Sequence, residues 1–147
     1  MDYDVVIIGG GPSGLATAIK LAQTFKEKNL EKSICLLEKS AEIGGHILSG
    51  NVFETTALDE LIPDWKEKGA PLDVKVKRDA IKFLINDKYS LPVPSFVMPT
   101  MQNHGNYILS LGNLCRWLAE QAEALGVDIF PGLSLIHISE PTRHTSI

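Results

Sequence analysis

Residues 4–19 have the sequence DVVIIGGGPSGLATAI, and residues 34–38 have the sequence ICLLE. The run of aliphatic residues that ends at Ile8 predicts a buried parallel strand. Apolar residues then recur at helical spacing after Gly14, and residues 34–37 predict a second buried strand. A strand, a tight turn, a helix and a strand in this order form a βαβ unit. The chain is therefore expected to be an α/β protein with a Rossmann-like fold.

The turn of this unit contains a G-x-G-x-x-G motif, formed by Gly9, Gly11 and Gly14. The first glycine permits the sharp turn off the strand, the second lets a pyrophosphate approach the backbone, and the third lets the helix pack closely on the sheet. The N-terminus of the helix offers N–H groups to phosphate. Pro12 fixes φ within the turn, and Ser13 adds a hydroxyl donor. The motif predicts a phosphate site.

An acidic residue, Glu38, ends the second strand 24 residues after Gly14. A carboxylate at this position accepts hydrogen bonds from both hydroxyls of an adenosine ribose and repels a 2′-phosphate. We therefore predict that the chain binds a dinucleotide. The spacing alone leaves both FAD and NAD open as the cofactor.

The rest of the chain predicts a looser set of elements. We expect a short helix within residues 58–65 and a β-hairpin whose strands, residues 79–85 and 88–91, are joined at Asn86 and Asp87. An amphipathic helix is expected over residues 114–125, ended by Gly126, with a third strand at residues 127–130. This strand and those at residues 4–8 and 34–37 would form one side of a doubly wound sheet.

Two segments, GGGPSGLATAIKLA and LLEKSAEIGGHILSG, resemble the FAD-binding start of the glutathione-reductase-type flavoproteins, especially their hydroxylase-like branch. The resemblance implies FAD as the cofactor and an FAD-binding fold of that type. It also implies that the loop after Glu38 runs along the cofactor, which is then lined by Lys39, Gly45, His46, Ser49 and Gly50. For His46 the alternative is a loop histidine that bonds only to the backbone.

Three segments, LLEKSAEIGGHILSGNVF, LIPDWKEKGAPL and NHGNYILSLGNLCRWLAEQAEALGVDIFPG, look like the electron transfer flavoprotein–ubiquinone oxidoreductase family. The resemblance extends over nearly all of residues 4–132. It implies an enzyme with FAD and one [4Fe–4S] cluster that takes electrons from electron transfer flavoprotein and reduces ubiquinone at a membrane surface. The alternatives are a geranylgeranyl-reductase-type FAD dehydrogenase or hydroxylase, an NAD-dependent dehydrogenase, and an inactive truncated fragment.

The resemblance also divides the chain into two parts. Residues 1–132 are expected to be an incomplete N-terminal FAD-binding region with part of an inserted β-rich quinone or substrate region. Residues 133–147, LSLIHISEPTRHTSI, resemble a translated sequencing adaptor and are expected to be a non-native tail. The family's cluster-binding cysteines lie near its C-terminus, so Cys35 and Cys115 are expected to be buried apolar side chains. We predict no catalytic residue and no metal ligand in this chain.

Many large apolar residues lie between Phe83 and Met101, interrupted by Pro92, Pro94 and Pro99. The prolines predict a hairpin followed by an extended loop. The apolar side chains either pack inside a second domain or form a patch that enters a bilayer surface, and the family resemblance favours the bilayer. Lys82 and Lys88 would then face anionic headgroups.

Composition limits the other possibilities. A net charge of -4 and a pI near 5.5 give no electrostatic basis for nucleic-acid binding. The apolar run at residues 5–8 is far shorter than the roughly 20 residues of a membrane-spanning helix. The family resemblance implies a peripheral protein on the cytoplasmic face of a bacterial inner membrane or, alternatively, on the matrix side of the mitochondrial inner membrane.

Overall fold

The computed structural model describes residues 2–48, 50–98 and 101–133. In these ranges three α-helices and eight strands follow one another in the order β1 Val5–Ile8, α1 Pro12–Glu27, β2 Ile34–Glu38, β3 Asn51–Phe53, α2 Thr56–Leu61, β4 Val74–Lys75, β5 Ile81–Leu84, β6 Ser90–Val93, β7 Tyr107–Leu109, α3 Leu111–Ala124 and β8 Asp128–Pro131.

The predicted βαβ unit is confirmed, and it lies in a three-stranded parallel sheet with the order β1-β2-β8. Val5 pairs with Ile34, and Cys35 pairs with Asp128. Helices α1 and α3 pack on each other and on one face of this sheet, where their apolar sides form the core around Leu15, Ile19, Leu36, Leu114 and Cys115. Gly126, at a φ of 91°, follows α3 and ends it as predicted.

The opposite face of β1 departs from the prediction of a buried strand. Val6 and Ile8 are 52% and 59% exposed, whereas Val5 and Ile7 pack against the core. Successive side chains of a strand point to opposite faces, so an uninterrupted aliphatic run does not reveal which face is covered. Among the described residues, β2 is the only strand that pairs with β1.

A second sheet, not predicted from the sequence, has the antiparallel order β3-β7-β4. Trp65 packs beside it with its ring edge-on to Tyr107, at 5.9 Å between centroids. The indole N–H of Trp65 donates to Asp59 Oδ1 at 2.6 Å, and that of Trp117 donates to the Lys68 carbonyl at 3.0 Å. The segment LIPDWKEKGAPL therefore connects α2 to β4 and packs against both the second sheet and α3, and α2 ends before Trp65.

The predicted hairpin is confirmed as the two-stranded pair β5 and β6. The side-chain oxygen of Asn86 accepts hydrogen bonds from the N–H groups of Lys88 and Tyr89, which fixes the turn. A short 3₁₀ turn, Ser95–Val97, follows the hairpin. In the part of the chain that the structure describes, no helix combines the length and the apolar character needed to cross a bilayer.

Candidate dinucleotide-binding site

The glycine loop lies at the carboxyl end of β1 and leads directly into α1. Gly9 has a φ of 101°, a left-handed conformation that favours glycine, and its N–H donates to the Leu37 carbonyl at 2.8 Å. A β-carbon on Gly14 would overlap the Gly9 carbonyl oxygen, so this glycine permits the close helix–strand contact. A β-carbon on Gly11 would meet no atom within 4 Å. Space for a ligand group therefore lies beside Gly11.

The first turn of α1 faces that space. Gly11 is the N-cap, Pro12 is the first helical residue, and no acidic side chain lies in the turn. The N–H groups of Ser13 and Gly14 have no carbonyl acceptor within the helix, because the first turn of any helix leaves them free. They carry the positive end of the helix dipole, which attracts an anion such as a diphosphate.

Glu38 lies between the glycine loop and the loop that follows β2. Its Oε2 accepts a hydrogen bond from the Gly10 N–H at 2.6 Å, and its Oε1 accepts one from the Ser40 N–H at 2.7 Å. Partial burial raises the pKa of this carboxyl, but the N–H bonds from Ser40 and Gly10 and the nearby His46 outweigh it, and the pKa lies below its usual value. The side chain is therefore a carboxylate at neutral pH.

These two hydrogen bonds show that Glu38 holds the loop backbone, in addition to its predicted role as acceptor for the ribose hydroxyls. A carboxylate offers about four lone-pair positions, so two oxygens that each accept one backbone N–H retain capacity for further donors. Acceptance of the ribose hydroxyls remains a prediction that this geometry permits. The carboxylate also links the backbone of Gly10 to that of Ser40, which the spacing of the sequence motif did not predict.

The other predicted ligands lie in the loop between β2 and β3. Lys39, Gly45, His46 and Gly50 are all exposed there, and His46 is close enough to Glu38 to lower its pKa. Ser49 lies outside the described residues. The structure therefore brings the glycine loop, Glu38 and His46 together at one end of the parallel sheet.

Gly10 is a site residue that sequence reasoning missed. It is buried, and a β-carbon there would lie 2.5 Å from Ile43 Cδ1 and 3.2 Å from the Glu38 side chain. The G-x-G-x-x-G motif assigns no role to its second position. The run of three glycines at residues 9–11 was the one sequence feature that could have indicated that a side chain at Gly10 would not fit.

Neither cysteine fits the [4Fe–4S] cluster that the resemblance implies. A cluster needs four ligands, usually thiolates, and this chain has two cysteines. Both are buried, Cys35 in β2 and Cys115 in α3, as predicted. Burial raises the pKa of both thiols, that of Cys115 to about 11, so they stay protonated. Among the described residues, no group of three or more histidine, cysteine or acidic side chains is arranged to hold a metal.

A family model described as an NAD(P)-binding Rossmann-like domain matches residues 7–65. The match covers the glycine loop, α1, β2 and the loop after it. Together with the strand order of the parallel sheet, it shows the Rossmann-like α/β fold expected from the sequence.

Several curated relatives share about half of their aligned residues with this chain. Electron transfer flavoprotein-ubiquinone oxidoreductase of Pseudomonas aeruginosa is 56% identical over 135 residues, which are 91% of this chain and 24% of that protein. The mitochondrial protein of the same name in Dictyostelium discoideum is 53% identical, over 90% of this chain and 21% of that protein. The one in Rattus norvegicus is 49% identical, over 93% of this chain and 22% of that protein. These matches confirm the resemblance. The chain spans about a quarter of the length of these relatives.

Solved structures share the fold at low sequence identity. A geranylgeranyl bacteriochlorophyll reductase-like protein from Thermoplasma acidophilum has a TM-score of 0.62 at 24% identity, over 88% of this chain and 30% of that one. Aklavinone-11 hydroxylase, solved with FAD and aklavinone, has a TM-score of 0.57 at 18% identity, over 89% of this chain and 25% of the hydroxylase chain. Both show that this arrangement of elements occurs in larger proteins.

Proposed function

We propose that this chain supplies the FAD-binding part of a longer oxidoreductase, hereafter the full-length protein, that passes electrons from electron transfer flavoprotein to ubiquinone. The observation that carries the proposal is identity of 46–56% with oxidoreductases of that name over 90–94% of the chain. The glycine loop, the first turn of α1 and Glu38 supply a matching dinucleotide site.

The proposed roles follow from the chemistry of each group. The N–H groups at the start of α1 bind the diphosphate, and Glu38 accepts the ribose hydroxyls. The loop after β2 runs beside the rest of the cofactor. The proposed FAD ligands are Gly9, Gly11, Pro12, Ser13, Gly14, Glu38, Lys39, Gly45, His46, Ser49 and Gly50.

Bound FAD supplies the redox chemistry, and this part of the protein binds and orients it. The cluster that the resemblance implies would be held by residues beyond this chain. FAD is preferred to NAD because of the resemblance of the loop after Glu38 to flavoproteins, although the matching family model is described by NAD(P). The yellow colour and visible absorbance of the purified full-length protein decide between the two cofactors.

Two glycine variants separate ligand binding from packing. The β-carbon of Gly11→Ala meets no protein atom within 4 Å, whereas the β-carbon of Gly14→Ala overlaps the Gly9 carbonyl. We expect Gly11→Ala, and Gly11→Val more strongly, to lose FAD while the apoprotein keeps its unfolding midpoint. Gly14→Ala should lower that midpoint. Normal flavin content in purified Gly11→Val would contradict the site.

The electron route is tested on the full-length protein with reduced electron transfer flavoprotein as donor and a ubiquinone analogue as acceptor. We expect ubiquinone reduction that requires FAD. The solved geranylgeranyl-reductase-like neighbour supports only the fold of the alternative enzyme. An FAD-loaded protein that does not reduce ubiquinone under these conditions would favour that alternative.

The hairpin and the turn after it are proposed to contact the membrane. Their large apolar side chains are exposed, with Phe83 at 64% and Phe96 at 80%. We name the hairpin patch by its members: Phe83, Leu84, Ile85, Leu91, Phe96, Val97, Met98 and Met101. Lys82 and Lys88 are exposed beside it, and each contributes about 1 kcal/mol near an anionic surface. This contact fits a peripheral protein on a bacterial inner membrane or, alternatively, on the mitochondrial inner membrane.

Liposome flotation tests the membrane contact with the FAD-loaded full-length protein. Phe96→Asp combined with Val97→Asp should reduce flotation, because both side chains would carry charge into the apolar surface. Leu30→Asp is the control for an aspartate placed elsewhere, since Leu30 is also an exposed apolar residue but lies in the connection between α1 and β2. Unchanged flotation of the Phe96 and Val97 variant would contradict membrane contact through the hairpin patch.

A further inference from the structure

Two glycines from distant parts of the chain meet backbone to backbone. Gly44 lies in the loop after β2 with a φ of 83°, and Gly112 lies in the first turn of α3. A β-carbon on Gly44 would lie 2.6 Å from the Gly112 carbonyl oxygen and 3.0 Å from its Cα. A β-carbon on Gly112 would lie 3.1 Å from the Gly44 carbonyl oxygen. Any side chain at either position would therefore push the loop away from α3.

The contact continues into the dinucleotide site. Ile43, the neighbour of Gly44, is buried, and its Cδ1 lies 2.5 Å from the position that a β-carbon of Gly10 would occupy. The Gly10 N–H in turn donates to Glu38. An unbroken series of packed groups thus joins the start of α3 to the glycine loop and to the carboxylate.

Charged side chains at the same place add little to this contact. Arg116 of α3 lies 3.6 Å from Glu42, and both side chains are exposed. Exposed ion pairs of this kind are weak and are screened by salt. The spacing between loop and helix is therefore set by the two glycines.

We propose that Gly44 and Gly112 are positioning residues for the adenosine and diphosphate half of the cofactor. Their close contact holds Ile43 against Gly10, and so fixes the glycine loop and Glu38 in the orientation that binds the dinucleotide. The inference rests on the proposed function of the site, but it assigns a role to α3, which contributes no ligand of its own to that site.

Gly112→Ala distinguishes positioning from ordinary packing. Alanine is more favourable than glycine in a helix, so helix stability alone predicts an unfolding midpoint that does not fall. At 3.1 Å the new β-carbon requires the loop to move by a few tenths of an ångström. We therefore expect weaker cofactor binding without loss of stability, a combination that a purely structural residue would not give.

The experiment removes flavin from the full-length protein and titrates the apoprotein with FAD and, separately, with ADP. For Gly112→Ala we expect both dissociation constants to rise about three- to tenfold, less than the loss of a whole hydrogen bond to a charged group. Ile43→Val, which removes Cδ1 without introducing a clash, should weaken ADP binding as well. Asn113→Ala, an exposed neighbour on α3, should leave both constants unchanged.

Gly44→Ala has its own matched control. Gly105 has a similar φ of 94° but no atom within 4 Å of its β-carbon position, so Gly105→Ala introduces the same backbone strain without the contact. We expect Gly44→Ala to weaken ADP binding more than Gly105→Ala does.

Three outcomes would overturn the inference. Unchanged ADP binding in a folded Gly112→Ala protein would remove the positioning role, and so would weaker FAD binding with normal ADP binding. A loss of affinity that parallels a fall in the unfolding midpoint would leave packing as the cause. If the wild-type apoprotein binds neither ligand, the proposed function itself fails, which is a separate result.

Discussion

Replacing Glu38 should damage the glycine loop before any cofactor is added. Its two oxygens accept N–H groups from Gly10 and Ser40 at 2.6 and 2.7 Å. A hydrogen bond to a charged group contributes about 1.5–3 kcal/mol, and the partial exposure of this carboxylate favours the lower end. Glu38→Ala therefore removes about 3 kcal/mol, a large part of a typical stability of roughly 5–15 kcal/mol. Glu38→Gln retains one acceptor and should lose about half as much.

Cofactor binding should fall in addition. Loss of one charged hydrogen bond to the ribose, about 1.5–3 kcal/mol, raises the FAD dissociation constant at least about tenfold. Urea unfolding of the apoprotein measures the first effect, and titration of the apoprotein with FAD measures the second. Because the pKa of Glu38 is lowered in the folded state, its contribution is full above the ordinary glutamate pKa and disappears as the pH falls through the lowered value. The glutamine variant should lack this acid dependence.

Either of two results would refute this reasoning. If Glu38→Ala unfolds at the wild-type urea concentration, the carboxylate does not stabilise the loop. If the same variant binds FAD as tightly as wild type, the ribose assignment is wrong. The two measurements are independent, so one part of the argument can fail while the other holds.

Three further predictions concern stability and reactivity. Residues 1–132 alone should aggregate or lack a cooperative calorimetric transition, because Val6 and Ile8 are exposed on an edge strand; a cooperative transition with FAD bound would contradict this. Hydrogen bonds from Lys32 and Ser33 lower the pKa of Asp4 to about 2, so its stabilising effect is full above about pH 4 and fades as the pH falls towards 2. Asp4→Asn should accordingly lower the unfolding midpoint of the full-length protein at pH 7 but not near pH 2, and equal differences at both pH values would count against it. Cys35 and Cys115 should react with a thiol reagent at pH 8 only after unfolding, because burial keeps them protonated, and rapid labelling of the folded protein would disprove it.

The βαβ unit was predictable because its signals are local. An aliphatic strand, three spaced glycines, a helical pattern and an acidic strand end all lie within residues 4–38. The short strands β3, β4 and β7 have two or three residues each and show no readable alternation, since pairing with distant partners creates them. No periodicity in the sequence distinguishes the covered face of β1 from the exposed one.

The site was predictable in part for the same reason. The proposed ligands within the glycine motif could be named from spacing, whereas the contact of Gly10 with Ile43 and that of Gly44 with Gly112 join residues 33 and 68 positions apart. A single sequence gives no sign of such pairs. The two hydrogen bonds that Glu38 accepts from the Gly10 and Ser40 N–H groups depend on a loop conformation that only tertiary structure defines.

The isolation of the β5–β6 hairpin affects how the sequence of such a protein can evolve. Its strands pair only with each other among the described strands, and the buried cluster beneath the candidate dinucleotide site contains no residue of the hairpin. Insertions, deletions or exchanges at the tip of the hairpin therefore leave that cluster and the glycine loop intact. Selection can therefore change the hairpin sequence to suit a different surface while the sequence of the glycine loop is conserved. For the same reason, a new hairpin can be grafted in its place without altering the glycine loop.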